Sequence, residues 1–65
     1  MKLKELNRGD LFTLKPYWGE VKDNQVYIKG EYDQTKRKFD CGRCDDISYS
    51  RFISGDTEVY TDFVF

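Results

Sequence analysis

Residues 25–32, QVYIKGEY, alternate in polarity, with Val26, Ile28 and Tyr32 on one side and Tyr27, Lys29 and Glu31 on the other. Alternation of period two predicts a half-buried strand. Gly30 falls on the Val26/Ile28 face, where it predicts a bend or a close backbone approach. Asp33-Gln34-Thr35 turn the chain into KRKFDC, in which Phe39 and Cys41 share a face with Arg37 while Lys36, Lys38 and Asp40 point outward. The two runs predict a central hairpin.

Upstream, DLFTLK at 10–15 alternates with Phe12 and Leu14 on one face, and Pro16, which has no N–H to donate, ends it. Residues 1–9 lay Leu3 and Leu6 on the core and turn at Gly9. Residues 16–24, PYWGEVKDN, read as a loop with a large apolar content. DDISYSRFI at 45–53 is ambiguous between a strand and an irregular turn. Ser54-Gly55-Asp56 is a turn, and in TEVYTDFVF the residues Val59, Thr61, Phe63 and Phe65 share one face. The pattern predicts an all-β fold, a small SH3-like barrel of four to five short antiparallel strands. Its expected core is Leu6, Phe12, Leu14, Val26, Ile28, Phe39, Val59 and Phe63. Truncating Ile28 or Phe39 to alanine would then cost about 2–5 kcal/mol.

Composition narrows this further. The 65 residues make one domain, 1–65, and a chain so short buries only about 60% of the surface its unfolded form exposes. Aromatic residues supply 17% of it, so a few large rings replace many aliphatics. The net charge of −1 argues against general polyanion binding. That sum hides an asymmetry, +3 over residues 1–38 against −4 over residues 39–65. Met1-Lys-Leu-Lys-Glu lacks the apolar run of a signal peptide, and no segment has the length and hydropathy of a membrane span. A cytoplasmic protein is expected, and there a disulfide would be unusual.

The segments LKELNRGDLFTLKP, QVYIKGEYDQTKRKFDC and GDTEVYTDFVF resemble a group of very short bacterial proteins carried largely on phage or other mobile elements. The Leu-x-x-Gly-Asp-x-Phe lead-in, Leu6 to Phe12, is similar to the first turn of SH3-like barrels. The resemblance implies the fold and an accessory role on a mobile element. It carries no functional residues with it.

Cys41-Gly42-Arg43-Cys44 has the spacing that lets two thiolates share a zinc ion. The chain has no His and no second cysteine pair, so a four-ligand site would need nearby Asp residues or a second chain. Asp40, Asp45 and Asp46 flank the motif and would raise a thiol pKa, against a redox role. The cysteines are therefore expected to be structural, with a zinc-bridged homodimer through Cys41 and Cys44 as the third-ranked reading. Arg8-Gly9-Asp10 is read as a turn rather than an adhesion motif. Without His, Ser–His and Cys–His pairs are excluded, and there is no Gly-rich phosphate loop. No catalysis and no cofactor are expected.

The most suggestive surface combines rings and cations. If Val26 and Ile28 face inward, Tyr27 and Lys29 stand outward beside Lys36 and Lys38, with Tyr17 and Trp18 in the preceding loop. Such a face suits an extended peptide or a single-stranded nucleic acid. Glu31 interrupts the basic stripe, which favours a protein partner over nucleic acid. The expectation is a monomeric, non-enzymatic interaction module using Tyr17, Trp18, Tyr27, Lys29, Lys36 and Lys38.

Overall fold

A computed structural model describes the backbone of residues 1–65 and every side chain but that of Ile47. A 3₁₀ turn, Leu3–Glu5, precedes β1 (Leu11–Phe12) and β2 (Gly19–Glu20). A second 3₁₀ turn, Asp23–Gln25, leads to β3 (Tyr27–Asp33), β4 (Lys38–Arg43), β5 (Asp46–Ile53) and β6 (Phe63–Val64). β1, β3, β4 and β5 form an antiparallel sheet in the order β1-β3-β4-β5, and β2 pairs with β6 in a parallel two-stranded sheet. The all-β reading holds. The sheet is not closed, because β1 and β5 remain at opposite edges, and one strand pair, β2 with β6, is parallel where only antiparallel strands were expected.

The reason lies in how the two ends of the chain are spent. β1 pairs over only two residues before Thr13 leaves the sheet and bridges Tyr60, and Pro16 follows soon after. The expected last strand meets several partners in turn: Lys2 at Glu58, Thr13 at Tyr60, then β2 at Phe63 and Val64. It therefore makes isolated bridges and a two-residue strand instead of one ladder.

The central hairpin is where the pattern placed it. Asp33 Oδ1 accepts the backbone N–H of Thr35 at 2.9 Å and of Lys36 at 3.1 Å, a side-chain-closed turn. Arg37 completes it in the left-handed region, at a φ of 55°. In the ladder, Lys29 stands opposite Cys41 and Tyr32 opposite Phe39, with a register shift between them. Gly30 sits in that shift, and its Cα comes so close to β4 that an added Cβ would lie 1.9 Å from the Asp40 carbonyl oxygen. The close approach expected at Gly30 is present.

The phase of β3 is the main correction. Val26 is buried, but it caps the 3₁₀ turn: its N–H donates to the Asp23 carbonyl, and its own carbonyl accepts from Cys44. The strand begins one residue later, so Tyr27 and Lys29 turn inward and Ile28 turns outward at 39% exposure. An offset of one residue exchanges the faces of a strand. Ile28→Ala is accordingly expected to cost no more than about 1 kcal/mol by urea unfolding, in place of the larger loss the alternation implied. A loss of several kcal/mol would return Ile28 to the core.

Leu3, Phe12, Cys41, Ile53 and Val59 form the buried cluster, and Leu6, Leu14, Tyr27 and Phe39 pack against it. Phe12 and Tyr27 stack at 5.8 Å between ring centroids. Leu3, Cys41 and Ile53 join the expected set, while Phe63 is only half-buried. Leu3 is held by the chain's far end, since its N–H donates to the Thr57 carbonyl, Lys4 donates to Gly55 and Val59 donates to Met1. The Gly9 turn, with a φ of 95°, donates its N–H to the Lys29 carbonyl, and Asp10 Oδ2 accepts from the Asn7 N–H. Arg8-Gly9-Asp10 thus fastens the lead-in to β3.

Candidate functional site

The six residues expected on one face are divided among different places. Lys29 is 5% exposed: its ammonium donates to the Leu6 carbonyl and lies 4.2 Å from the centroid of the Phe39 ring. The carbonyl and the ring face are what receive the buried charge, while the aliphatic stem packs in the interior. Tyr27 is half-buried on Phe12. Neither Tyr27 nor Lys29 stands on an open surface, because β3 is offset as described. Tyr17 is half-buried, and its hydroxyl accepts from Gln25 Nε2 at 3.2 Å. Trp18, just before β2, is 86% exposed. Lys36 and Lys38 are exposed at the β3–β4 hairpin.

Lys36 and Lys38 stand in a cationic and aromatic setting. The Lys36 ammonium lies 3.8 Å from the centroid of Phe52, a half-buried ring on β5. Phe52 also borders an open depression of about 350 Å³, together with Leu14, Lys38, Arg51, Ser54 and Thr57. No carboxylate lines this depression. A second depression, of about 340 Å³, shares Ser54 and is bordered by Lys4, Tyr32, Arg37, Phe39 and Asp56. The one acid there is engaged: Asp56 pairs with Lys4 at 3.1 Å, and that contact holds its carboxyl below the usual range.

Local structure fixes the rim. The Thr57 N–H donates to the Ser54 carbonyl and the Asp56 N–H to Ser54 Oγ, closing the turn after β5. The same turn accepts the N–H groups of Leu3 and Lys4 through Thr57 and Gly55. Arg51, Phe52 and Arg37 were not identified from the pattern. For Arg51 and Phe52 the signal was a basic and an aromatic residue adjacent in a segment that did not declare itself a strand; Arg37, read on the inner face of the hairpin strand, instead lies exposed in the turn before β4.

The cysteines divide as well. Cys41 lies in β4 with its side chain in the core, and Cys44 lies in the β4–β5 turn; both are free thiols. Burial is the largest cause raising each thiol above its ordinary pKa, with Asp40 adding at Cys41 and Asp23 and Asp45 at Cys44. Arg43 is committed elsewhere, donating from Nε to Asp45 and lying over the Tyr49 ring at 4.2 Å. Asp46 Oδ1 accepts both the N–H and the hydroxyl of Ser48. Cys41 is fully buried and Cys44 half-buried, so a zinc bridge between two chains would require Cys41 to leave the core. Among the described residues no group of three or more Cys, Asp or Glu is placed to hold a metal ion, and no helix is long and apolar enough to cross a membrane. The chain matches no family model, no curated protein and no solved structure.

Proposed function

We propose that this chain is a non-enzymatic, cytoplasmic protein-interaction module, an accessory of a phage or mobile element, which binds a protein through the surface around Lys36, Lys38, Arg51 and Phe52. In this proposal the open sheet is an SH3-like half-barrel, supported by the Gly9 turn that feeds β1 and the bend at Gly30. The observation that carries the functional reading is the depression bordered by Lys38, Arg51 and Phe52 without a carboxylate. Cations on an apolar floor, on a rigid turn, suit acidic side chains of a partner.

Two features favour a protein over single-stranded nucleic acid. Stacking a base on this surface needs a free ring face there, yet Lys36 covers Phe52 and the nearby Tyr32 meets Phe39 edge-on at 5.0 Å. Acids are also interspersed along the strands, with Asp33 opposite Lys38 and Asp40 opposite Phe52. A polyphosphate would meet repulsion at each, whereas a peptide can place its own charges between them.

The test is a photo-reactive side chain at position 38 in the native host, beside the same protein carrying Arg51→Glu. Discrete protein adducts, lost with Arg51→Glu, are expected. Adducts to nucleic acid alone, or protein adducts indifferent to Arg51→Glu, would overturn the proposal. The partner so identified, bound without the cross-link, should also lose less affinity as salt rises than a phosphate-tracking ligand would.

A further inference from the structure

β5 ends the four-stranded sheet, and among the described residues no backbone hydrogen bond ties residues 50–53 to any element but β4. Such an edge is a template for another strand unless something blunts it. Here the blunting is partial. The Ser48 N–H is taken by Asp46 Oδ1 at 3.0 Å, so a side chain caps one donor in the first half of β5. Residues 50–53 have no proline and no lysine, and among the described residues no side chain caps their backbone as Asp46 does that of Ser48.

The depression described above lies beside this uncapped half. Three consecutive residues of β5, Arg51, Phe52 and Ile53, line it. Successive side chains of a strand point to opposite faces, so a hollow bordered by three in a row follows the strand's edge. Backbone groups free to pair, an apolar floor from Leu14 and Ile53, and two cations are thus combined in one place.

We infer that the C-terminal half of β5 accepts an extended, acidic peptide segment of the partner as a fifth strand. Its backbone pairs along residues 50–53; on the Phe52 face a carboxylate meets Lys38, and on the opposite face the neighbouring apolar side chain covers Leu14 and Ile53 beside Arg51. This is strand addition, in which main-chain bonds give affinity and side-chain contacts give selectivity. The inference rests on the interaction-module reading and specifies the partner's chemistry.

The test is amide NMR titration of the whole chain with a short synthetic peptide alternating glutamate and valine. Three probes accompany it: the same peptide with glutamine for glutamate, the peptide N-methylated at alternate amides, and oligothymidylate. Shifts should concentrate at residues 50–54 and Thr57, with slowed hydrogen exchange along β5. Binding should vanish for the N-methylated peptide and fall about tenfold or more for the glutamine peptide and for the Lys38→Glu protein. Circular dichroism of that variant checks that its fold is intact. Equal binding of the N-methylated peptide, shifts confined elsewhere, or no binding at all would overturn strand addition. If protein adducts at position 38 persisted in that case, the interaction module would stand without it. Oligothymidylate binding that falls steeply with salt, with no peptide binding, would sink both.

Discussion

Gly30→Ala is expected to remove at least about 3 kcal/mol of stability, a third or more of what a domain of this size holds. At roughly 0.05–0.15 kcal/mol per residue, the whole chain has only about 3–10 kcal/mol to lose. The new Cβ would lie 1.9 Å from the Asp40 carbonyl oxygen and 3.1 Å from its carbon, so the obstacle is backbone and has no rotamer to escape into. Relief means moving β4, and β4 carries Phe39 and Cys41 into the core. Gly9 is the control. It has a positive φ, but nothing lies within 4 Å of its added Cβ, so Gly9→Ala should cost only the left-handed penalty of about 1–2 kcal/mol. Urea unfolding of the two variants side by side decides the matter. Equal stabilities would mean that β3 and β4 do not approach so closely at Gly30.

Phe12→Ala is the second large effect, a loss of about 3–5 kcal/mol. Phe12 is fully buried, stacks on Tyr27 and belongs to a strand only two residues long. Its ring is therefore the principal attachment of β1 to the sheet, since β1 has little ladder to hold it. The expected result is a protein mostly unfolded at 37 °C, seen as loss of the cooperative thermal transition. If Phe12→Ala melted like the unchanged protein, the core would have to centre elsewhere. Ile28→Ala provides the contrast within the paired strand, since Ile28 faces out opposite Leu11.

What the sequence made visible was mostly local. The β3–β4 hairpin, its turn at Asp33 and the close approach at Gly30 follow from alternation and from turn chemistry within a dozen residues. The phase of β3 did not, because Val26 looks like the first residue of the strand but belongs to the preceding 3₁₀ turn. Burial of Lys29 was hidden for a related reason. A lysine is assigned to water by default, and the carbonyl and ring that receive its ammonium come from Leu6 and Phe39, distant in sequence. β5 was blurred because its register breaks where Gly42 faces Ser50 and Arg43 faces Asp46, leaving three residues of β5 against none of β4. The candidate site lies largely on that strand, so only Lys36 and Lys38 of it were legible beforehand. Partners for the last nine residues could not be read at all, because their contacts are bridges to separate segments.

Those bridges have a consequence for the order in which the chain is assembled and undone. The β3–β4–β5 meander joins residues close in sequence, so closing its turns costs little chain entropy. The contacts of Leu3 with Thr57, Met1 with Val59 and Thr13 with Tyr60 each close a loop of most of the chain. Folding therefore starts in the meander, and the two ends zip against it late. In the native protein the same ends are expected to open first, which would show as faster amide exchange at Leu3 and Val59 than in the hairpin. The girdle that excludes water from Leu3 and Val59 is thus also the seam along which the domain comes apart.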